Sequence, residues 1–159
     1  MADSYLRQSR SIELSTKYAI ETAINANWTG ITTVKTFLSA YDKTLPVVCV
    51  RLIDENVNRL EISANTLKYD YLFNIDIFAT SDGQRLDLAD FLIDFLKDSW
   101  VYYTWTHKSG DNSILEKSAT GRLAVQEFTA NHRVDFGDTE TTNPDRFRHS
   151  IGIRVRKSS

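Results

Sequence analysis

The chain has 159 residues, of which 42% are hydrophobic and 25% charged, with two prolines and six glycines. This size and balance are typical of one globular domain and exclude a disordered or low-complexity chain, because enough apolar surface is present to offset chain entropy. The formal net charge of −2 excludes a global basic field for nucleic acid. With no apolar run long enough for a bilayer and no signal-peptide pattern, we expect a soluble intracellular protein without a membrane partner.

The first third of the chain predicts a helix followed by strands. Ile12, Ile20 and Ile24 fall on one face of a helix, and the run 46–53 is apolar enough for a strand buried on both faces. Threonine and valine before that run favour another strand, because branched side chains pack well on a pleated surface. The predicted elements are a helix over 9–26, strands over 31–38, 46–53 and 59–62, and polar turns at 41–44 and 54–56.

The middle of the chain has the clearest periodicity. Every second residue of the segment 68–80 is apolar, which predicts a strand with one buried face. Such a strand reaches about 40 Å, longer than most strands, so we expect its end to leave the domain body as an arm. Ser81 and Gln84 have the spacing of a capping box, which predicts that a helix begins there and runs over 81–99.

The last third predicts three strands separated by two polar segments. The predicted elements are strands over 100–105, 122–135 and 146–156, a long excursion or loose hairpin over 106–121, and a loop over 136–145. Strands joined by short turns favour antiparallel pairing. We therefore predict a single α+β domain over 1–159, with its core over 10–156 and a mainly antiparallel sheet that carries both helices on one face.

Few residues indicate chemistry. His107, His132 and His149 lack the pair spacing of metal-binding histidines, and Cys49, the only cysteine, excludes an internal disulfide. Cys49 lies in the most apolar predicted strand, where a thiol is usually a small core side chain. No glycine-rich phosphate loop occurs in the sequence. We therefore expect no catalytic residue, no cofactor and no metal, and the alternative is an enzyme whose pocket the sequence does not reveal.

Two segments carry opposite charges. The outer face of the second predicted helix carries Asp87, Asp90, Asp94 and Asp98, and the last strand carries Arg146, Arg148, Arg154 and Arg156. Each set is consistent with an ordinary solvated face. A second interpretation makes these residues candidates for a subunit interface, in which the acidic helix of one subunit meets the basic strand of the next. A third places the arginines against nucleic-acid phosphates.

The order of the elements resembles a known family. A helix precedes a strand that opens at residues 45–50 (Leu-Pro-Val-Val-Cys-Val), and a long strand ends at residues 73–80 (Phe-Asn-Ile-Asp-Ile-Phe-Ala-Thr). That strand leads directly into a helix that begins at residues 82–90 (Asp-Gly-Gln-Arg-Leu-Asp-Leu-Ala-Asp), and strands close the chain. Over residues 10–156 this layout resembles the tail terminator proteins of tailed bacteriophages.

The resemblance implies a structural virion protein with no catalytic activity. Its subunits would form a ring, usually a hexamer, that caps the tail tube and joins it to the head connector, and DNA would pass through without specific binding. The implied partners are copies of the chain, the tail tube protein and the head connector or neck proteins. The protein would be assembled in the host cytoplasm and located in the neck of the virion. A head-completion or connector adaptor protein of the neck is the alternative.

A ring of this kind also assigns expected places to several segments. The segments 106–121 and 136–145 are then candidates for contacting tube or connector proteins. Asp135, Asp138 and Glu140 are candidates for lining the lumen, because like charges keep DNA from adhering. A closed ring repeats one heterologous interface, which matches two unlike charged patches on one chain.

Overall fold

A computed structural model describes residues 6–59, 67–108, 110–134 and 147–158. The helices in these residues are α1 (Gln8–Asn27), α2 (Phe37–Tyr41) and α3 (Asp82–Leu96). The strands are β1 (Thr32–Val34), β2 (Val47–Arg59), β3 (Leu67–Ala79), β4 (Trp100–Lys108), β5 (Asp111–Arg133) and β6 (Phe147–Ser158). The α+β class predicted from the sequence is confirmed.

The strands form one six-stranded sheet in the order β1-β2-β3-β6-β5-β4. Every neighbouring pair is antiparallel except β1 and β2, which run parallel with Thr32 opposite Val47. Parallel neighbours need a crossover connection, and the segment that contains α2 supplies it. The sheet is therefore mixed rather than purely antiparallel, because of one edge pair that the sequence pattern did not indicate.

The two long helices, α1 and α3, pack on the same face of the sheet, as predicted. The largest side chains buried between them and the sheet are Ile12, Ile20, Ile24, Tyr71, Phe73, Ile75, Ile77, Leu88, Leu92, Leu96 and Leu123. Alternate residues of β3 enter this core, so the alternation predicted over 68–80 is confirmed. At the start of α3, Ser81 Oγ accepts the Gln84 N–H at 3.2 Å, and Gln84 Oε1 accepts the Thr80 N–H at 2.8 Å. These bonds satisfy backbone donors that the first helical turn leaves unpaired.

The short helix α2 lies on the opposite face, and the sequence did not predict it. Thr36 Oγ1 accepts the Ser39 N–H at 3.1 Å and so caps this five-residue helix. A second buried cluster joins α2 to the sheet and contains Val34, Phe37, Ala40, Leu45, Val47, Cys49 and Phe78. The strand predicted over 31–38 therefore ends at Val34, and α2 begins at Phe37. The sequence pattern did not reveal this helix, because five helical residues are too few to show a helical period.

The polar break predicted at 54–56 is wrong, because β2 continues through it. The backbone of β3 lies opposite these residues, with Glu55 paired to Tyr71, and a register shift between Leu52 and Asp54 accommodates one extra residue. The strand predicted over 59–62 is the end of β2 as far as Arg59. Its remaining positions lie outside the described residues.

The excursion predicted over 106–121 is the hairpin of β4 and β5. Lys108 lies opposite Asp111, and Gly110 occupies the turn with a φ of 85°, which favours glycine. Residues 116–120 of β5 are all exposed, so the alternation that marks a half-buried strand is absent there. The loop predicted over 136–145 lies outside the described residues.

Both hairpins run past β6 and leave the sheet at the same end. The last β3–β6 pair is Tyr71 with Val155, and the last β5–β6 pair is Arg122 with Ser158. We call residues 56–59 with 67–70 the first ribbon, and residues 102–108 with 111–121 the second ribbon. Since both begin where β6 ends, they project in the same direction, as the length of β3 predicted for one of them.

Helix α1 spans the curled sheet and contacts strands near both of its edges. Ser15 Oγ accepts the Tyr103 N–H at 3.0 Å and donates to the Tyr103 carbonyl oxygen at 3.2 Å, which occupies the outer edge of β4. On the other side, the Ser9 hydroxyl donates to the Glu55 carboxylate at 2.6 Å. The N-terminal part of α1 therefore connects the two strands from which the ribbons extend.

Candidate assembly surfaces

Arg148, a predicted interface residue on β6, lies against a buried carboxylate. Its Nη2 is 3.2 Å from Asp76 Oδ1, and Arg51 Nη2 is 3.3 Å from Asp76 Oδ2. Asp76 is fully buried, and the guanidinium groups of Arg51 and Arg148 lie 3.6 and 4.5 Å from the centre of the Phe37 ring. The two arginines therefore compensate a buried charge and hold α2 against the sheet.

Arg154 and Arg156, also predicted as interface residues, pair with the neighbouring strands. Arg154 Nη1 is 2.7 Å from Glu127 Oε2 of β5, and Arg156 Nε is 2.5 Å from Asp70 Oδ1 of β3. The hydrogen bond from Arg156 lowers the pKa of the Asp70 carboxyl group. These arginines are engaged within their own chain, which does not favour the interpretation that they bind phosphates. The fourth predicted arginine, Arg146, lies outside the described residues.

The predicted acidic face of α3 is exposed to solvent. Asp87, Asp90, Asp94 and Asp98 are all exposed, and Asp94 Oδ1 is 2.6 Å from Lys97 Nζ. An exposed pair of this kind contributes little to stability. The acidic residues and the β6 arginines lie on opposite faces of the sheet, so the structure does not bring the two sets together within one chain. The lumen candidates Asp135, Asp138 and Glu140 lie outside the described residues.

The first ribbon presents unpaired backbone to solvent. β1 pairs with β2 only as far as Cys49, so the outer edge of residues 50–59, the β2 edge, pairs with no other described strand. Ile53, Val57 and Leu67 are 52%, 46% and 39% exposed along or beside it. A strand edge without a neighbouring strand, flanked by apolar side chains, is a template for a strand of another chain.

The second ribbon is attached to α1 by aromatic contacts. The rings of Tyr18, Tyr103 and Trp105 lie edge to face at centroid distances of 5.6 to 6.2 Å. Lys117 Nζ lies 4.6 Å from the centre of the Tyr18 ring. Together with the bonds from Ser15, these contacts protect the outer edge of β4. The two ribbons therefore differ at the two outer edges of the sheet: α1 covers β4 at Tyr103, whereas no described strand pairs with the β2 edge.

His149 belongs to a buried network that the sequence did not predict. Its Nδ1 accepts an N–H of Arg85 at 2.6 Å, and its Nε2–H donates to Asn131 Oδ1 at 2.6 Å. Burial and the Arg85 charge lower the pKa of His149 to about 4, so the ring is neutral. The network joins α3 to β6 and β5. The sequence feature that could have indicated this network is the position of His149 among the inward-facing residues of β6.

Cys49 is a buried core residue, as predicted. Burial raises the pKa of its thiol to about 11, which keeps it protonated and unreactive. Among the described residues, no group of three or more His, Cys, Asp or Glu side chains is placed to hold a metal ion.

A shallow groove of about 270 Å³ lies at the root of the first ribbon. The stacked rings of Tyr69 and Tyr71, 6.2 Å apart, form one wall, and Lys68 and Lys157 contribute positive charge beside the ion-paired Arg156. The Tyr71 hydroxyl accepts an N–H of Gln8 at 2.7 Å, and burial raises the pKa of this phenol. Aromatic rings beside cations suit contact with an acidic or aromatic segment of another chain.

Comparison with known proteins adds no family to this geometry. The sequence matches no protein-family model and no curated protein. Among the described residues, the helices lack the combination of length and apolar character needed to cross a membrane. The resemblance to tail terminators accordingly stays a prediction from the order of elements.

Proposed function

We propose that this protein is a structural subunit that assembles with copies of itself. In the form implied by the tail terminator resemblance, the assembly is a ring that caps the tail tube of a bacteriophage and joins it to the head connector. The observation that carries the proposal is the pair of ribbons that leave the sheet at one end, the first with an open edge and exposed apolar side chains.

The β2 edge is the surface through which one subunit would contact the next in such an assembly. A strand from a neighbouring chain that pairs there would add backbone hydrogen bonds, and Ile53 and Val57 would lose exposed apolar surface. The β2 edge differs from the outer edge of β4, which α1 covers at Tyr103. Unlike surfaces on one chain produce head-to-tail contacts, which close into rings when the rotation permits.

The charge distribution supports a protein past which DNA moves without specific binding. Arg148, Arg154 and Arg156 are compensated by acids of β3 and β5, so the face of β6 does not present a row of free cations. α3 presents exposed aspartates to water. Phosphate binding depends on uncompensated basic side chains, and exposed carboxylates repel phosphates. We therefore propose a role in assembly rather than in catalysis or nucleic-acid recognition.

The double variant Ile53→Lys with Val57→Lys tests the proposal. Two charges on the β2 edge are expected to abolish self-association, because lysines on an edge strand oppose the addition of another strand. Both side chains are about half exposed, so the free energy of unfolding should change by less than about 0.5 kcal/mol each. Sedimentation velocity measures the association, and urea unfolding measures the stability.

The matched control is Leu86→Lys, a similarly exposed apolar residue on α3 that lies away from the β2 edge. It should associate like the unmodified protein. Equal association of the double variant and the unmodified protein would contradict the role given to the β2 edge.

A further inference from the structure

A second apolar surface, distinct from the β2 edge, lies between α1, the end of α3 and the start of β4, and it includes Tyr103 of the second ribbon. We call it the α1–β4 groove; its volume is about 360 Å³. Ala19 and Ala23 form one wall, and Phe95, Trp100 and Tyr103 form the other. Small side chains on α1 leave room between the helix and the strand, so the groove can accept an aliphatic side chain of another molecule.

At the opposite edge of the sheet, α2 carries exposed apolar side chains that could fill an apolar groove. Leu38 on α2 is 76% exposed, the highest value of any large hydrophobic side chain in the described residues, and Tyr41 beside it is 44% exposed. We call these two residues the α2 knob. α2 is held rigidly, because Phe37 packs on the sheet and the Tyr41 ring meets the Phe78 ring at 5.7 Å. The exposure of Leu38 is therefore a property of a fixed element and not of a loop.

The charges beside the two surfaces are complementary as well. Asp42 and Lys43 directly follow the α2 knob and are exposed. At the groove, Arg122 donates from Nε to Ser99 Oγ at 2.7 Å and from Nη2 to the Ser99 carbonyl oxygen at 2.6 Å, which holds its guanidinium at the rim. Asp98, the neighbour of Ser99, adds an exposed carboxylate there. Each surface thus carries one acid and one base beside an apolar centre, which favours correct pairing over other contacts.

We propose that the α2 knob of one copy docks in the α1–β4 groove of the next copy, with Asp42 facing Arg122 and Lys43 facing Asp98. The knob and the groove share no residue, and they belong to the β1–β2 edge and the β4 edge of the sheet. Each chain can therefore use both surfaces at once, which gives a head-to-tail contact that repeats around a ring. This inference rests on the proposed self-assembly and names a contact within it.

Site-directed crosslinking tests the contact. Leu38→Cys and Ala23→Cys are placed in separate copies, which are co-expressed and treated with a short bismaleimide. We expect crosslinked dimers in the mixed preparation and none in either variant alone, because the contact joins unlike surfaces. Cys49 does not compete for the reagent, since it is buried and its pKa is raised to about 11. The control mixture pairs Leu86→Cys with Ala23→Cys and should give no dimer.

Disruption gives an independent readout. Leu38→Asp is expected to weaken association at least about tenfold, because an apolar side chain no longer leaves water and a charge enters the groove. Leu86→Asp, equally a surface leucine, should leave association unchanged. Circular dichroism checks that both variants are folded.

The outcomes separate the two proposals. If the unmodified protein forms oligomers while the mixed preparation gives no crosslink and Leu38→Asp associates normally, the knob-and-groove contact is wrong and the proposed function stands. If the unmodified protein is monomeric at every concentration, the proposed function itself is contradicted.

Discussion

The centre of the sheet and the first ribbon both contain β2 and β3, yet side chains of these strands are buried in the centre and exposed in the ribbon. In the centre, every second residue of β3 enters the core, and even the polar face is covered, with Asp76 fully buried. In the first ribbon, Val57 and Leu67 are exposed and the β2 edge faces no other described strand. The alternation of residues is the same, but the neighbours on each side are not. The proposed assembly edge thus lies where a strand runs past its neighbours.

Removal of the buried carboxylate in the centre should have the largest effect. Asp76→Ala removes the buried carboxylate that Arg51 and Arg148 both contact beneath α2. We expect the free energy of unfolding to fall by about 3 kcal/mol, because a broken buried ion pair leaves an uncompensated charge in a poorly solvated place. Urea unfolding followed by tryptophan fluorescence measures the loss.

Glu127→Ala is the matched control for that substitution. Glu127 also pairs with an arginine, Arg154, but its side chain is 55% exposed. Its removal should cost less than about 1 kcal/mol, since water screens the pair. Equal losses in the two variants would contradict the contrast between the covered centre and the solvated surface.

An effect of at most similar size is expected from acid. The pKa of His149 is lowered to about 4 in the folded protein, so between that value and the unfolded value of about 6.5 the unfolded chain binds more protons. The free energy of unfolding should therefore decrease as pH falls through this window, by up to about 3 kcal/mol. The lowered pKa of Asp70 acts in a separate window, because its contribution is lost only below a pH of about 4.

The variant His149→Gln isolates the histidine contribution. Glutamine keeps a side chain able to hydrogen bond at this position and does not titrate, so the dependence on pH between 4 and 6.5 should be flatter than in the unmodified protein. Chemical unfolding at several pH values measures the slope. An unchanged slope would show that other groups carry the dependence.

The fold could be predicted where a long segment has one dominant period. β3 and α3 show such periods, and the capping spacing of Ser81 and Gln84 marks the start of α3. The prediction failed where an element was short, as in α2, or lacked alternation of burial, as in residues 116–120 of the second ribbon. Five helical residues are too few to show a period, and a run of exposed residues has no buried face to create one. The parallel pairing of β1 also depends on a crossover that no local pattern reports.

The candidate surfaces were less accessible to sequence reasoning, because their partners are distant in the chain. The Arg156–Asp70 pair joins residues 86 positions apart, and spacing within one segment cannot reveal it. The alternation of β3 nevertheless placed Asp70 and Asp76 on the face opposite the core. Alternation in β6 placed its arginines on that face as well. Their pairing with the β3 aspartates could therefore be predicted once β3 and β6 were known to be neighbours. The groove and the α2 knob depend on tertiary packing and had no signal in the sequence.

The central claim is self-assembly through unlike surfaces of one chain. Sedimentation velocity of the unmodified protein over a concentration series, with negative-stain images of the same samples, tests it most directly. The account predicts closed, hexamer-sized rings that become more abundant with concentration. A single monomeric species at every concentration, with no rings in the images, would contradict it.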